Sequence, residues 1–224
     1  NLELAGEYLL MAALLIEIKS RMLLPVRKSD TGEEVEDPRA ELVRRIDWRA
    51  DAPATLVWAE AQDGGDPAVE AEVRDSVFVH AAPFEGEPVK LIDLGYRFRN
   101  ATWGNGGLAL IDEFWWRDRQ TRQWRIAPDH PERAPELLFD RSSEDRYNDP
   151  GSPVTVADEA GNARLMISPD GNGLYLAGQG ASPEGDRPFV DRFDLATKET
   201  TRLFHSRPPY LERPAALLDQ AGTR

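Results

Sequence analysis

Gly107-Leu108-Ala109-Leu110-Ile111 and Gly173-Leu174-Tyr175-Leu176-Ala177 are two copies of one pattern, and the strands succeeding each copy decide the fold. The first opens a unit that ends at Pro135-Glu136-Leu137-Leu138-Phe139, and the second opens one that ends at Thr201-Arg202-Leu203-Phe204. In both, a strand with a charged surface comes before the final strand, at residues 122–126 and 190–195. A weaker earlier copy runs from Leu56-Val57-Trp58 to Lys90-Leu91-Ile92. Short β-type runs occur at 55–58, 76–80, 108–111, 123–126, 174–177 and 189–195. Asp63-Gly64-Gly65, Gly104-Asn105-Gly106-Gly107 and Pro169-Asp170-Gly171-Asn172-Gly173 separate them as turns. Units of four antiparallel strands stacked about an axis make a β-propeller, and the length available allows about three. A β-sandwich with coincidental strand spacing is the alternative.

Residues 1–46 follow a different period. Leu4, Ala5, Tyr8, Leu9, Ala12, Leu15, Ile16, Lys19 and Met22 keep helical spacing, and Leu10, Leu14, Ile18 and Leu24 widen the apolar stripe. Glu17 and Arg21 stand one turn apart in the favourable order. Pro25 ends this helix, because it lacks an N–H and restricts the residue before it. Residues 28–36 are polar and charged and read as a linker. Asp37-Pro38 then predicts a second helix, with Asp as N-cap and Pro in the first helical position, running through Ala40, Leu42, Val43 and Ile46. The expected architecture is mainly β: a partial β-propeller over residues 47–224, preceded by a short α-helical segment over 1–46. The chain opens at Asn1 inside the apolar pattern, which reads as a cropped helix and not as a targeting element.

Composition narrows the functions available. With 41% hydrophobic and 30% charged residues, the 224-residue chain can bury a core. Its net charge of -13 argues against direct nucleic-acid binding, which needs clustered cations against phosphate. The apolar run at 8–16 is too short to span a bilayer, which takes roughly 20 residues, so no membrane partner is expected. The absence of cysteine removes disulfides, a thiol nucleophile and thiolate metal ligands, and suits a cytoplasmic protein. No cofactor is expected.

The residues also carry two resemblances. Leu4-Ala5-Gly6-Glu7-Tyr8-Leu9-Leu10-Met11-Ala12-Ala13, Glu17-Ile18-Lys19-Ser20-Arg21-Met22-Leu23-Leu24-Pro25 and Asp37-Pro38-Arg39-Ala40-Glu41-Leu42-Val43 together resemble the bacterial segregation and condensation protein A, the kleisin subunit of the chromosome-condensing Smc complex. That resemblance implies a non-enzymatic bridge between the Smc ATPase and segregation and condensation protein B in chromosome segregation. Leu9, Leu14, Ile18 and Met22 would then be partner-contact residues or core residues of the helical lobe.

The remainder resembles the propeller of prolyl-oligopeptidase-family serine peptidases, of the glutamyl endopeptidase type. The residues that carry this are Leu138-Phe139-Asp140-Arg141-Ser142-Ser143-Glu144-Asp145-Arg146-Tyr147 with Asp149-Pro150-Gly151-Ser152. Asp51-Ala52-Pro53-Ala54-Thr55-Leu56, Ala61-Gln62-Asp63-Gly64-Gly65-Asp66 and Gly180-Ala181-Ser182-Pro183-Glu184-Gly185 with Pro188-Phe189 add to it. In such enzymes the propeller is noncatalytic and restricts substrate entry, while the nucleophile elbow lies on a separate α/β-hydrolase domain, expected beyond Arg224.

This sequence has no G-x-S-x-G pentapeptide and so no catalytic triad of that kind; a peptide substrate is expected only together with the hydrolase domain. His80, His130 and His205 stand outside any motif and read as surface or edge residues; Ser142 and Ser143 read as loop hydrogen-bonding groups. Glu144, Asp145 and Asp149 read as ion-pair partners of nearby arginines rather than as a cation site. Arg141, Arg146 and Arg187 are the candidate substrate-facing residues, because a guanidinium grips a carboxylate with two parallel hydrogen bonds. The six tryptophans read as packing between blades, with one of Trp115 and Trp116 exposed because adjacent residues of a strand face opposite ways.

Overall fold

A computed structural model describes residues 42–217, which form strands, turns and coil. The chain divides into two compact units after Phe98. Leu9, Leu14, Ile18 and Met22, and the helix expected around them, lie outside the described residues.

The first unit carries one sheet of four antiparallel strands in chain order: β1 (Leu42–Trp48), β2 (Thr55–Ala61), β3 (Asp75–Ala81) and β4 (Val89–Leu94). Residues 42–46 are therefore strand, which overturns the helix expected to continue through Leu42, Val43 and Ile46. Leu42, Val43 and Ile46 fit a helical period, but Val43 and Ile46 are β-branched and an isolated helix of about ten residues is marginal in water. Pairing with β2, from Leu42↔Ala61 to Trp48↔Leu56 with a bulge at Val43/Arg45, satisfies the backbone instead. On β2, Val57, Ala59 and Ala61 alternate into the core beside Val77 and Val79 of β3. Trp58 faces the other way and stacks on Phe78, its direct cross-strand partner, with ring centroids 5.8 Å apart.

Ionic contacts hold the end of this sheet. The Asp63-Gly64-Gly65 turn places both glycines at positive φ, where a side chain would be strained, and points the Asp63 carboxylate inward. Arg97 Nη2 donates to Asp63 Oδ2 at 2.7 Å, and Arg97 Nη1 donates to Asp75 Oδ1 at 2.8 Å. Arg74 adds a 2.9 Å bond to Asp63, and the Phe98 amide donates to Asp75. Both carboxylates are 0% exposed. Burial opposes the charge on Arg97, but its hydrogen bonds to Asp75 and Asp63 hold its pKa above the ordinary guanidinium value.

The second unit contains two further sheets. Strands β5 (Arg97–Asn105), β6 (Leu108–Trp115), β7 (Gln120–Ile126) and β8 (Glu136–Ser142) form one in chain order. The other follows the order β9 (Ser152–Pro153), β12 (Gly173–Gly178), β15 (Phe189–Asp194), β16 (Thr200–His205). Two short hairpins interrupt the latter: β10 (Thr155–Ala157) with β11 (Ala163–Leu165), and β13 (Ala181–Ser182) with β14 (Gly185–Asp186). All pairings are antiparallel, and each four-stranded sheet keeps its strands in sequence order, as propeller blades do and crossed-over sandwiches do not. The second unit is two stacked blades of a partial β-propeller, and the sheet of the first unit is a blade of the same four-stranded form.

The repeat read in the sequence has a direct packing meaning. Leu108 and Leu110 of one blade and Leu174 and Leu176 of the next share a buried core with Leu165, Phe193 and Leu195, against which Leu138, Phe139 and Ile167 pack. Phe139 and Phe193 meet with centroids 5.1 Å apart, and Lys198 Nζ bonds Glu136 across the blades at 2.6 Å. Trp115 is the last residue of β6 and is buried at 6% exposure, whereas Trp116 begins the turn after the strand and is 51% exposed, so the exposure expected of one of the pair is found but comes from the turn rather than from alternation along one strand.

Two outcomes are expected. Arg97→Ala takes the shared guanidinium from two buried carboxylates, leaving Asp63 with Arg74 and Asp75 with the Phe98 amide, and lowers stability by about 3 kcal/mol in urea unfolding, whereas an exposed pair such as Lys90–Asp93 yields under about 1 kcal/mol. Asp112 provides the pH test. Burial pushes its carboxyl pKa up, against the Gln123 hydrogen bond and the Arg99 charge. A folded pKa above the unfolded one favours the fold in acid, and that contribution is lost as pH rises through the folded pKa. Asp112→Asn therefore matches or exceeds the native melting temperature at pH 7, and the difference shrinks or reverses at and below the ordinary carboxyl pKa.

Candidate functional site

The third blade and the loop leading into it line an open cavity of about 610 Å³ within the second unit. Residues 147–150 form one rim, and the 180–187 segment containing the β13–β14 hairpin forms the other. Two of the stretches that carry the peptidase resemblance, some thirty residues apart in sequence, thus border one space.

The first rim is braced from inside. Arg141, on β8, reaches back along its own loop: Nη1 donates to the Ser142 and Asp145 carbonyls at 3.1 Å, and Nη2 donates to Asp149 Oδ1 at 2.7 Å. The Asp145 carboxylate accepts from the Asn148 side chain at 2.8 Å and from its amide at 3.2 Å, which holds the Asp145 pKa below the usual carboxylate value. Glu144 lies 3.6 Å from Arg119. The acidic cluster is committed to these partners, and among the described residues no three His, Cys, Asp or Glu side chains gather to hold a metal ion.

The floor belongs to β15 and β16. Asp191, 4% exposed, takes the fork of Arg202 through Nε and through Nη2 at 3.1 Å. The same guanidinium lies 4.4 Å above the Phe189 ring. Arg202 is thereby spent on the protein itself. Arg187 and Arg207 also line the cavity; Arg187 Nη1 donates to the Asp186 carbonyl at 3.2 Å. His205 lines the wall beside them, with Glu184 on the hairpin rim. A cavity with a stacked aromatic floor and arginine forks at its wall can hold an extended peptide segment and pair with a carboxylate on it.

Of the three arginines singled out in the sequence, Arg187 lines the cavity, Arg141 braces its rim, and Arg146 bridges to the hairpin through Gln179 Oε1 at 3.3 Å and Asp186 at 3.6 Å. Sequence reasoning missed Asp191, Arg202, His205 and Arg207. Asp191 and Arg202 face each other across β15–β16, a register visible only once the bulge at Val190/Asp191 is known. Elsewhere, His80 faces the Glu85 carbonyl at 3.3 Å, His130 lies 3.3 Å from Glu132, and Ser142 Oγ accepts from the Glu144 amide.

The chain is similar to two unrelated families in succession. The profile of the family Segregation and condensation protein ScpA matches residues 1–61, ending at the last residue of β2. Segregation and condensation protein A of Xylella fastidiosa (strain 9a5c) is 70% identical over 44 residues, which are 20% of this chain and 15% of that protein. The probable chloroplastic glutamyl endopeptidase of Oryza sativa subsp. japonica is 42% identical over 181 residues, covering 78% of this chain and 19% of the relative. Its Arabidopsis thaliana counterpart is 43% identical over 183 residues, with 79% and 19% covered. The chain therefore spans about a fifth of the length of those enzymes. Among solved structures, tricorn protease superposes with a TM-score of 0.42 at 10% identity, over 74% of this chain and 13% of that one.

Proposed function

We propose that the propeller residues are the noncatalytic, substrate-gating portion of a serine peptidase of the prolyl-oligopeptidase kind, with the cavity as a surface that contacts the peptide. The observation that supports this best is the meeting of two peptidase-like stretches around one arginine-lined cavity. The identity to glutamyl endopeptidases over most of the chain supports the same reading. Arg187, with Arg207, is placed to meet an acidic side chain, since Arg141 and Arg202 are occupied by Asp149 and Asp191. Peptide-bond cleavage itself belongs to a hydrolase domain carrying the nucleophile elbow.

A second reading applies to the first segment, because the Segregation and condensation protein ScpA profile matches there. On that reading residues 1–46 supply part of a surface for the Smc ATPase and for segregation and condensation protein B.

In a full-length relative, charge reversal at the counterparts of Arg141, Arg146 and Arg187 tests the gating reading. Reversal at Arg187 is expected to raise KM for a Glu-containing peptide about tenfold, with kcat retained and a Gln-containing peptide little affected, as the loss of one charge-assisted contact implies. Unchanged kinetics with the Glu peptide would contradict the proposal.

A further inference from the structure

Two cross-strand pairs of β15 and β16 face the cavity: Asp191 with Arg202, and Phe189 with His205. The ladder runs on past the strand ends, because the Ser206 amide donates to the Pro188 carbonyl at 2.8 Å. That bond makes Arg187 and Arg207 the next directly opposed pair on the face of Phe189 and His205. Such a pair shares no hydrogen bonds of its own, and its Cα atoms lie about 4.5 Å apart. Both arginines line the cavity. Two cations thus hold the relation that Asp191 and Arg202 fill with opposite charges, and like charges so placed are destabilising. The neighbouring carboxylates are turned elsewhere: Asp186 to Arg146, Asp149 to Arg141 and Asp191 to Arg202. Arg187 is half-buried, and its side chain donates to the Asp186 carbonyl at 3.2 Å. Among the described residues neither Arg187 nor Arg207 has a carboxylate within ion-pair distance. On the other side of Arg187 its amide bonds the Gly180 carbonyl, and Gly180 brings no side chain to crowd the guanidinium.

We infer that Arg187 and Arg207 together form a seat for one doubly charged oxyanion, of the phosphate monoester class, at the wall of the cavity. A phosphate group carries close to two negative charges at neutral pH and three acceptor oxygens. It can take a fork from each guanidinium and cancel both charges, whereas a carboxylate has one charge and two oxygens and satisfies one fork. Arg202 does not compete for the anion, since Asp191 already neutralises it. Glu184, across the cavity on the hairpin rim, leaves both guanidiniums unpaired. As a seat for a side chain of a bound peptide this rests on the peptide-contact reading of the cavity, whereas capture of the anion itself does not.

Inorganic phosphate, titrated into the full chain by calorimetry near neutral pH at constant ionic strength, tests the seat, with acetate as the singly charged comparison. Phosphate is expected to bind about tenfold more tightly than acetate. R187A and R207A each weaken phosphate binding about fivefold or more, whereas R133A, which removes an exposed arginine outside the cavity lining, leaves it unchanged. Without phosphate, R207A melts no lower than the native chain, because it relieves a repulsion; lost binding in that variant is then not lost folding. A phosphoserine peptide that binds more tightly than phosphate supports the seat as a side-chain site, and one that binds equally supports it as a site for the free anion. Equal binding of phosphate and acetate would overturn the seat. So would phosphate binding untouched by R187A and R207A, or an R207A chain that melts well below the native one. Calorimetry includes no cleavage step, so the two readings fail separately. Unchanged KM with phosphate binding intact counts against peptide contact alone, and the converse counts against the seat alone.

Discussion

Leu108 and Leu110 of one blade and Leu174 and Leu176 of the next hold the same places in successive repeats, and they close a single core between two sheets. A lone four-stranded sheet has two faces and cannot cover either with its own side chains. Stacking a second copy solves this for the facing surfaces, which is why the pattern recurs in the sequence at all. The rest of the second unit depends on that contact. The Phe139–Phe193 ring pair and the Lys198–Glu136 bridge form only when the two blades face each other. The cavity depends on it as well, since its braced rim leaves one blade at Ser142 while its floor and hairpin rim belong to the next.

Against this apolar framework, the charges act locally. Asp63 and Asp75 are buried and depend on Arg97, whereas Asp158, Asp170 and Asp194 sit at turns and accept backbone amides. The latter three hold depressed pKa values, Asp170 because the Ser168 hydroxyl and then the Asn172 amide favour the ionised form, and Asp158 and Asp194 chiefly because backbone amides do. Asp191 and Arg202 show how one pair serves two ends: it satisfies a buried carboxylate and fixes a guanidinium over Phe189 as the cavity floor. Such commitments decide which arginines remain for a ligand. Counting cations in the sequence cannot make that distinction.

Three strands of each blade were legible from the sequence because their apolar residues alternate or run together between glycine turns. The first strand of each blade was not. β1 carries Leu42, Val43 and Ile46 at helical spacing, β5 reads Arg97-Phe98-Arg99-Asn100-Ala101-Thr102-Trp103, and β9 is only Ser152-Pro153. These segments take their state from the neighbouring ladder, so local propensity misleads. The site was legible in the same partial way. Its rims coincide with motifs that could be quoted residue by residue, but its floor required the β15–β16 register and the bulge that sets it. Arg141 and Arg187 were found by residue type, and only the geometry separates the brace from the cavity-facing group.

The most direct test of the account is a double-mutant cycle on Phe139 and Phe193, which belong to different blades and meet at 5.1 Å. Urea unfolding of Phe139→Leu, Phe193→Leu and the double variant should reveal a coupling of about 0.5–1.5 kcal/mol, as expected for an aromatic pair in one core. Strict additivity, within about 0.3 kcal/mol, would contradict the shared core from which the blades and the cavity are built.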